Sequence, residues 1–100
     1  IAYRDIILNL ETQEVYVRGG WVHLTPTEFQ LLCYLTQMPD RPISKKELAQ
    51  AIWGLSHNMN LVEVTIHRLR EKLEENPAKP TYLWTVYGTG YQFNLHRSQP

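Results

Sequence analysis

The sequence has a single cysteine, Cys33, so no disulfide can form within the chain. Cys33 falls inside an apolar helical pattern, which fits packing and a reducing cytoplasm better than thiol chemistry. No run of the roughly eighteen apolar residues that span a bilayer is present, and no charged, apolar, small-residue signal opens the chain. Neither a membrane segment nor export is therefore expected. An excess of one charge is lacking too, since ten Lys plus Arg balance ten Asp plus Glu. A chain without a net field is not drawn to polyanions as a whole, so any nucleic-acid contact must come from a local patch. Clusters that carry chemistry are scarce. His23, His57, His67 and His96 are scattered without metal-ligand spacing, and no Ser, His and Asp set marks a nucleophile. Gly88-Thr89-Gly90 lies between strand patterns rather than before a helix, so it is no phosphate loop. The expectation is a protein that is not an enzyme and holds no metal or cofactor. Its carboxylates, including Glu71 and Glu75 one turn apart, read as a solvated charge pattern.

What is present is one domain of 100 residues, 43% of them hydrophobic, enough for a single core. Residues 1–24 alternate with period two: Ile6, Leu8 and Leu10, then Val15 and Val17, then Val22 and Leu24. This predicts a half-buried antiparallel meander of three or four strands. Glu11-Thr12-Gln13-Glu14 is a turn candidate, and Gly19-Gly20 is a two-residue hairpin signal because both glycines accept positive φ. Structure starting at the first residues suggests a domain cut from a longer protein.

Thr25-Pro26-Thr27-Glu28 is a capping box with proline in the first turn and opens a helix over 25–38. Two apolar stripes, Phe29, Leu32 and Cys33 against Leu31, Leu35 and Met38, predict that it is covered on both sides. Pro39-Asp40-Arg41-Pro42 ends it. Ser44-Lys45-Lys46-Glu47 is a second box, opening a helix over 44–54 with Leu48, Ala51 and Ile52 inward and Gly54 as its stop. A third helix covers 61–75, with Asn60 as its cap and Glu63 completing the box. Its Val62, Ile66, Leu69 and Leu73 form the core stripe, while Leu61, Val64, Thr65 and Arg68 form a second face. That second face suits a DNA major groove, where apolar atoms meet thymine methyls and arginine can fork onto guanine. The helix is not basic, however: Arg68, Arg70 and Lys72 stand against Glu63, Glu71, Glu74 and Glu75. A hairpin over 82–95 closes the chain around Gly88-Thr89-Gly90. The expected core is Leu24, Phe29, Leu32, Leu48, Ile52, Trp53, Val62, Ile66, Leu69 and Leu73.

Four motifs stand in fixed order: Leu24-Thr25-Pro26-Thr27-Glu28-Phe29, Ala51-Ile52-Trp53-Gly54, the run from Val62 to Leu73, and Thr85-Val86-Tyr87-Gly88-Thr89-Gly90-Tyr91-Gln92-Phe93. Together they closely resemble the OmpR/PhoB family of response-regulator output domains. The resemblance implies an α+β winged helix-turn-helix, with an N-terminal antiparallel sheet, a three-helix bundle and a C-terminal hairpin wing. It implies binding to double-stranded promoter DNA beside a second copy on tandem half-sites. It also implies an upstream receiver domain phosphorylated through a sensor kinase, in the bacterial cytoplasm. Position by position, Arg68 matches the base-reading arginine, with Leu61, Val64 and Thr65 as its neighbours. Asn60, His67, Arg70 and Thr85 fall at backbone-contact positions, and Tyr87 and Thr89 belong to the wing. The segment Leu55, Ser56, His57, Asn58 and Met59 matches a loop proposed to touch RNA polymerase.

Three departures remove charge from this pattern: His67 stands for a usual arginine, Tyr87 for the usual wing arginine, and Asn60 where a basic residue is common. An imidazole at His67 would add a cation only as pH falls; the alternative is a neutral hydrogen-bonding role. The rival function is a winged helix that binds a partner protein, such as RNA polymerase, with DNA binding weakened or lost.

Overall fold

The computed structural model describes residues 2–3, 5–54 and 59–94. Four strands, β1 (Ala2–Tyr3), β2 (Ile6–Asn9), β3 (Glu14–Val17) and β4 (Gly20–Val22), form an antiparallel meander in chain order. Alternation decides its faces as expected. Ile6, Leu8, Val15 and Val17 are buried, while Ile7, Tyr16 and Trp21 are cross-strand partners on the outer face. Leu10 departs from the expected alternation and is half exposed. The strand stops at Asn9, whose side-chain carbonyl accepts the Glu11 and Thr12 N–H groups and turns the chain.

The second turn also differs. Its two positive-φ residues are Arg18 (49°) and Gly19 (80°), and Gly20 opens β4 opposite Val17. Contacts from outside the hairpin hold Arg18 in this conformation. Its N–H donates to the Asp5 carbonyl at 2.9 Å and its guanidinium reaches the Tyr82 hydroxyl at 3.3 Å.

The first helix, α1 (Pro26–Thr36), has the expected capping box: Thr25 Oγ1 accepts from Glu28 N–H, and Glu28 Oε1 accepts from Thr25 N–H. It ends two residues short of Met38, which is half-buried against the core. Glu28 is buried, contrary to a purely solvated charge pattern, and Lys72 meets its carboxylate. Burial alone would raise its pKa; the hydrogen bond from Lys72 and the cap outweigh it and hold the carboxyl below its ordinary value.

After α1, β5 (Ile43–Ser44) leads into α2 (Lys45–Trp53). Here only half of the box forms: Ser44 Oγ accepts from Glu47 N–H, but the Glu47 carboxylate instead accepts from the Tyr34 hydroxyl at 2.7 Å. The buried alanine is Ala49, and Ala51 is exposed. Gly54 ends the helix at φ 70°. The third helix, α3 (Met59–Leu73), starts before Asn60 and stops before Glu74. Asn60 is thus in the first turn rather than at the cap, and Met59 is helical. Leu55, Ser56, His57 and Asn58 lie outside the described residues, as does the chain from Leu95 onward.

The closing hairpin is β6 (Leu83–Val86) with β7 (Gly90–Phe93), and β7 also pairs with β5, giving the order β5-β7-β6. The third strand was not expected. Gly90 permits it, because a Cβ there would lie 2.0 Å from the Ile43 carbonyl oxygen. This leaves β6 with one free edge, and α3 covers it. Glu74, just past the helix, is buried and accepts N–H groups from Thr81 at 2.7 Å, Tyr82 at 2.9 Å and Leu83 at 2.8 Å. Its reading as a solvated acid is therefore corrected. Phe93 meets Tyr3 edge-on and stacks with Tyr82, joining the two sheets. Of the expected core, Ile52 and Trp53 are half-buried against it and the other eight residues are buried.

Two predictions follow from these buried carboxylates. Glu74→Gln keeps one accepting oxygen but turns an amide NH2 toward the N–H donors on the other side, so it should lower stability in urea unfolding by about 1–3 kcal/mol; an unchanged midpoint would contradict this role of the carboxylate. Glu28, with its folded pKa below the ordinary 4.5, contributes stability that is full above that value and lost as pH falls through the folded value. The stability gap between the parent and Glu28→Gln should thus be constant near neutrality and narrow below about pH 4.5; a gap that widens in acid would reverse the assignment.

Candidate nucleic-acid interface

With about 3.6 residues per turn, burying Val62, Ile66, Leu69 and Leu73 turns Asn60, Val64, His67 and Glu71 directly outward. Arg68 and the half-buried Leu61 flank this stripe on one side, and Glu63 on the other. Val64 is 37% exposed, an apolar side chain left on the open face of α3. Arg68 is exposed and has no hydrogen bond or ion pair among the described residues. Among the described residues nothing takes up its guanidinium donors, which can face a ligand.

The expected reading set does not stay together. Thr65 lies one turn after Val62 on the same side, so it is buried to 7% exposure and its hydroxyl donates to the Leu61 carbonyl at 2.7 Å. Leu61, Val64 and Arg68 remain accessible. Among the residues placed at backbone-contact positions, Asn60 and His67 are exposed, and His67 Nε2 lies 3.7 Å from the Glu71 carboxylate. Arg70 and Thr85 are turned on one another instead. Arg70 Nη2 donates to Thr85 Oγ1 at 2.8 Å, and its Nε donates to the Leu83 carbonyl at 3.0 Å. Burial lowers the pKa of this guanidinium, which nonetheless remains charged.

The hairpin tip is built for exposure. Tyr87 is 92% exposed, Gly88 takes φ 81°, and Thr89 N–H closes the turn on the Val86 carbonyl at 3.0 Å. Of the suggested polymerase-contact segment, Met59 belongs to α3 and is half-buried against the core.

Three residues of this surface were missing from the sequence reading. Lys45 and Lys46, in the first turn of α2, line a groove with the wing residues from Thr85 to Gly90. Lys45 Nζ pairs with Glu63 at 2.9 Å, which raises the pKa of the ammonium, while Lys46 is exposed. Glu63 is on the open side of α3, where its neighbour on α2 offsets its charge. Both lysines and Glu63 had been assigned to capping patterns, which hid the faces they point to. Cys33 is half-buried and burial raises its thiol pKa, in keeping with packing. Among the described residues no group of His, Cys, Asp or Glu is placed to hold a metal ion, and no helix is long and apolar enough to cross a membrane.

Residues 19–93 match the family described as "Transcriptional regulatory protein, C terminal". The fold is similar to the Klebsiella pneumoniae RstA DNA-binding domain solved in complex with the RstA box: the TM-score is 0.89 and the identity 26%, covering 96% of this chain and 97% of that one. The DNA-binding domain of CpxR from E. coli gives a TM-score of 0.81 at 28% identity, over 96% and 97% of the two chains. DrrB, a Thermotoga maritima OmpR/PhoB homolog, gives 0.87 at 26% identity over 94% of this chain, which spans 43% of DrrB. The chain therefore belongs to the C-terminal domain family of transcriptional regulatory proteins, and its winged helix is of the OmpR/PhoB type.

Proposed function

We propose that this domain binds double-stranded promoter DNA sequence-specifically as the output domain of a cytoplasmic response regulator. In this reading α3 enters the major groove and the β6–β7 wing lies near the minor groove. The observation that carries it is the open side of α3: an exposed Arg68 without a side-chain partner among the described residues, beside an exposed Val64, on a helix whose opposite side is committed to the core. Arg68 reads a guanine through O6 and N7, and Val64 and Leu61 meet thymine methyls. Asn60, His67 and Lys46 supply backbone contacts, fewer in charge than a basic helix would give. Affinity then depends on a second copy on a tandem half-site, and an upstream receiver domain and its sensor kinase govern that pairing. RNA polymerase is a further partner of the region between α2 and α3. The RstA domain, similar over nearly its whole length, was solved on its DNA box, which supports the reading.

Selection of duplexes from a randomised pool at low salt, run on this domain and on Arg68→Ala, tests it. The parent should enrich one motif, and the variant should lose preference at one base position with a cost of about 1–3 kcal/mol there. Identical motifs and affinities would remove Arg68 from the groove. If neither protein enriches a sequence, the monomeric DNA reader fails and the protein-binding alternative, with Tyr87 as its exposed anchor, takes its place.

A further inference from the structure

In the three-stranded sheet β7 is held on both sides, by β5 and β6, but β6 is an edge strand. An edge carries unpaired backbone groups and is free to move unless something covers it. Here the cover is side chains of the reading helix and its end. Leu83 donates its N–H to Glu74 and accepts at its carbonyl from Arg70, so α3 does for this edge what a neighbouring strand would do. Arg70 also reaches along the strand to Thr85 and lies over the Tyr91 ring of β7, 5.6 Å from its centroid. Lys45 of α2 approaches the same ring at 5.9 Å while it pairs with Glu63 of α3. The guanidinium thus ties α3 to both strands of the wing. Thr85 is two residues from Tyr87, where the tip begins.

We propose that Arg70 is a positioning residue that sets the wing against the reading helix, and not a phosphate contact in its own right. The proposal rests on the DNA-binding reading for its functional meaning and on the geometry of β6 for its physical content. The two roles differ in what salt does. A phosphate contact releases counterions, so losing one lowers the slope of log affinity against log salt by about 0.9. The wing tip, Tyr87-Gly88-Thr89, carries no charge, so a displaced wing weakens binding and leaves the slope unchanged.

The test uses the whole domain, Arg70→Gln and Thr85→Val; the second removes the side-chain acceptor in β6, leaving the Leu83 carbonyl, without altering α3. Without DNA, amide hydrogen exchange in β6 and the wing loop should quicken by about tenfold or more in Arg70→Gln, which loses two hydrogen bonds from a charged group, and less in Thr85→Val, which loses one. Protection at Ile66 and Leu69 should stay at the parent level in both. With a fixed duplex enriched by the parent as probe, both variants should bind more weakly at the parent's salt slope. Unchanged exchange in β6, or a slope lower by about 0.9 in Arg70→Gln with Thr85→Val binding like the parent, would overturn the proposal. If Arg70→Gln loses core protection as well, Thr85→Val alone decides by the same criteria. A parent that binds no duplex refutes the DNA-binding reading and with it the wing's functional role, while the exchange data still decide whether Arg70 holds β6.

Discussion

The free edge of β6 is the constraint around which the C-terminal half is arranged. A winged helix needs its hairpin close to the reading helix, yet a two-stranded hairpin is only marginally stable by itself. This chain meets the need from both sides. Gly90 lets the β5 backbone approach β7 and makes a third strand. On the other side Glu74 gathers three successive N–H groups where the chain turns back after α3. A buried carboxylate is costly without such donors; with three it becomes a fixed point. The first fixing joins residues far apart in sequence and the second closes the short connection after α3, so the wing is held both to β5 and to the end of the helix.

Net neutrality conceals an uneven use of charge. Glu28 is spent on the α1 cap and Lys72, Glu74 on the wing backbone, and Glu63 on Lys45. The pairs that Arg18 makes with Glu75 and His67 with Glu71, both at 3.7 Å and open to solvent, are of the kind that contributes little to stability. The cations left without partners among the described residues include Arg68 and Lys46, on α3 and at the start of α2. A formal charge of zero is thus compatible with a locally positive reading surface, because several acids are held inward or tied to neighbours.

Local patterns made the helices, the meander and most of the core legible. A capping box is a short-range hydrogen-bond pattern, and Thr25 with Glu28 forms it as written. Ser44 with Glu47 forms only half, because the Tyr34 hydroxyl, distant in sequence, competes for the carboxylate. Asn60 was misplaced as a cap because side-chain type marks a helix start only to within a residue or two. Thr65 and Arg70 have the polarity of surface residues; periodicity put Thr65 on a groove face, and the family resemblance put Arg70 against phosphate. What overrode it was tertiary: Thr65 satisfies its hydroxyl on its own helix, and Arg70 finds an unpaired carbonyl on a strand thirteen residues on. Which acid meets which N–H is decided by how elements pack, and one-dimensional spacing carries no record of that.

In the proposed complex these internal ties bear on how a weakly charged reader can be selective. Removing cations from the helix and the wing tip lowers the attraction common to every sequence. What remains is shape and the few directed contacts of Arg68, Val64 and Leu61, which hold only if helix and wing are presented at a fixed angle. A wing that ends in Tyr87 offers a ring and a hydroxyl, and neither can correct a misplaced strand by long-range attraction. The charge given up in nonspecific binding therefore places a stricter demand on rigidity, and Glu74, Arg70 and Gly90 meet that demand from within the fold.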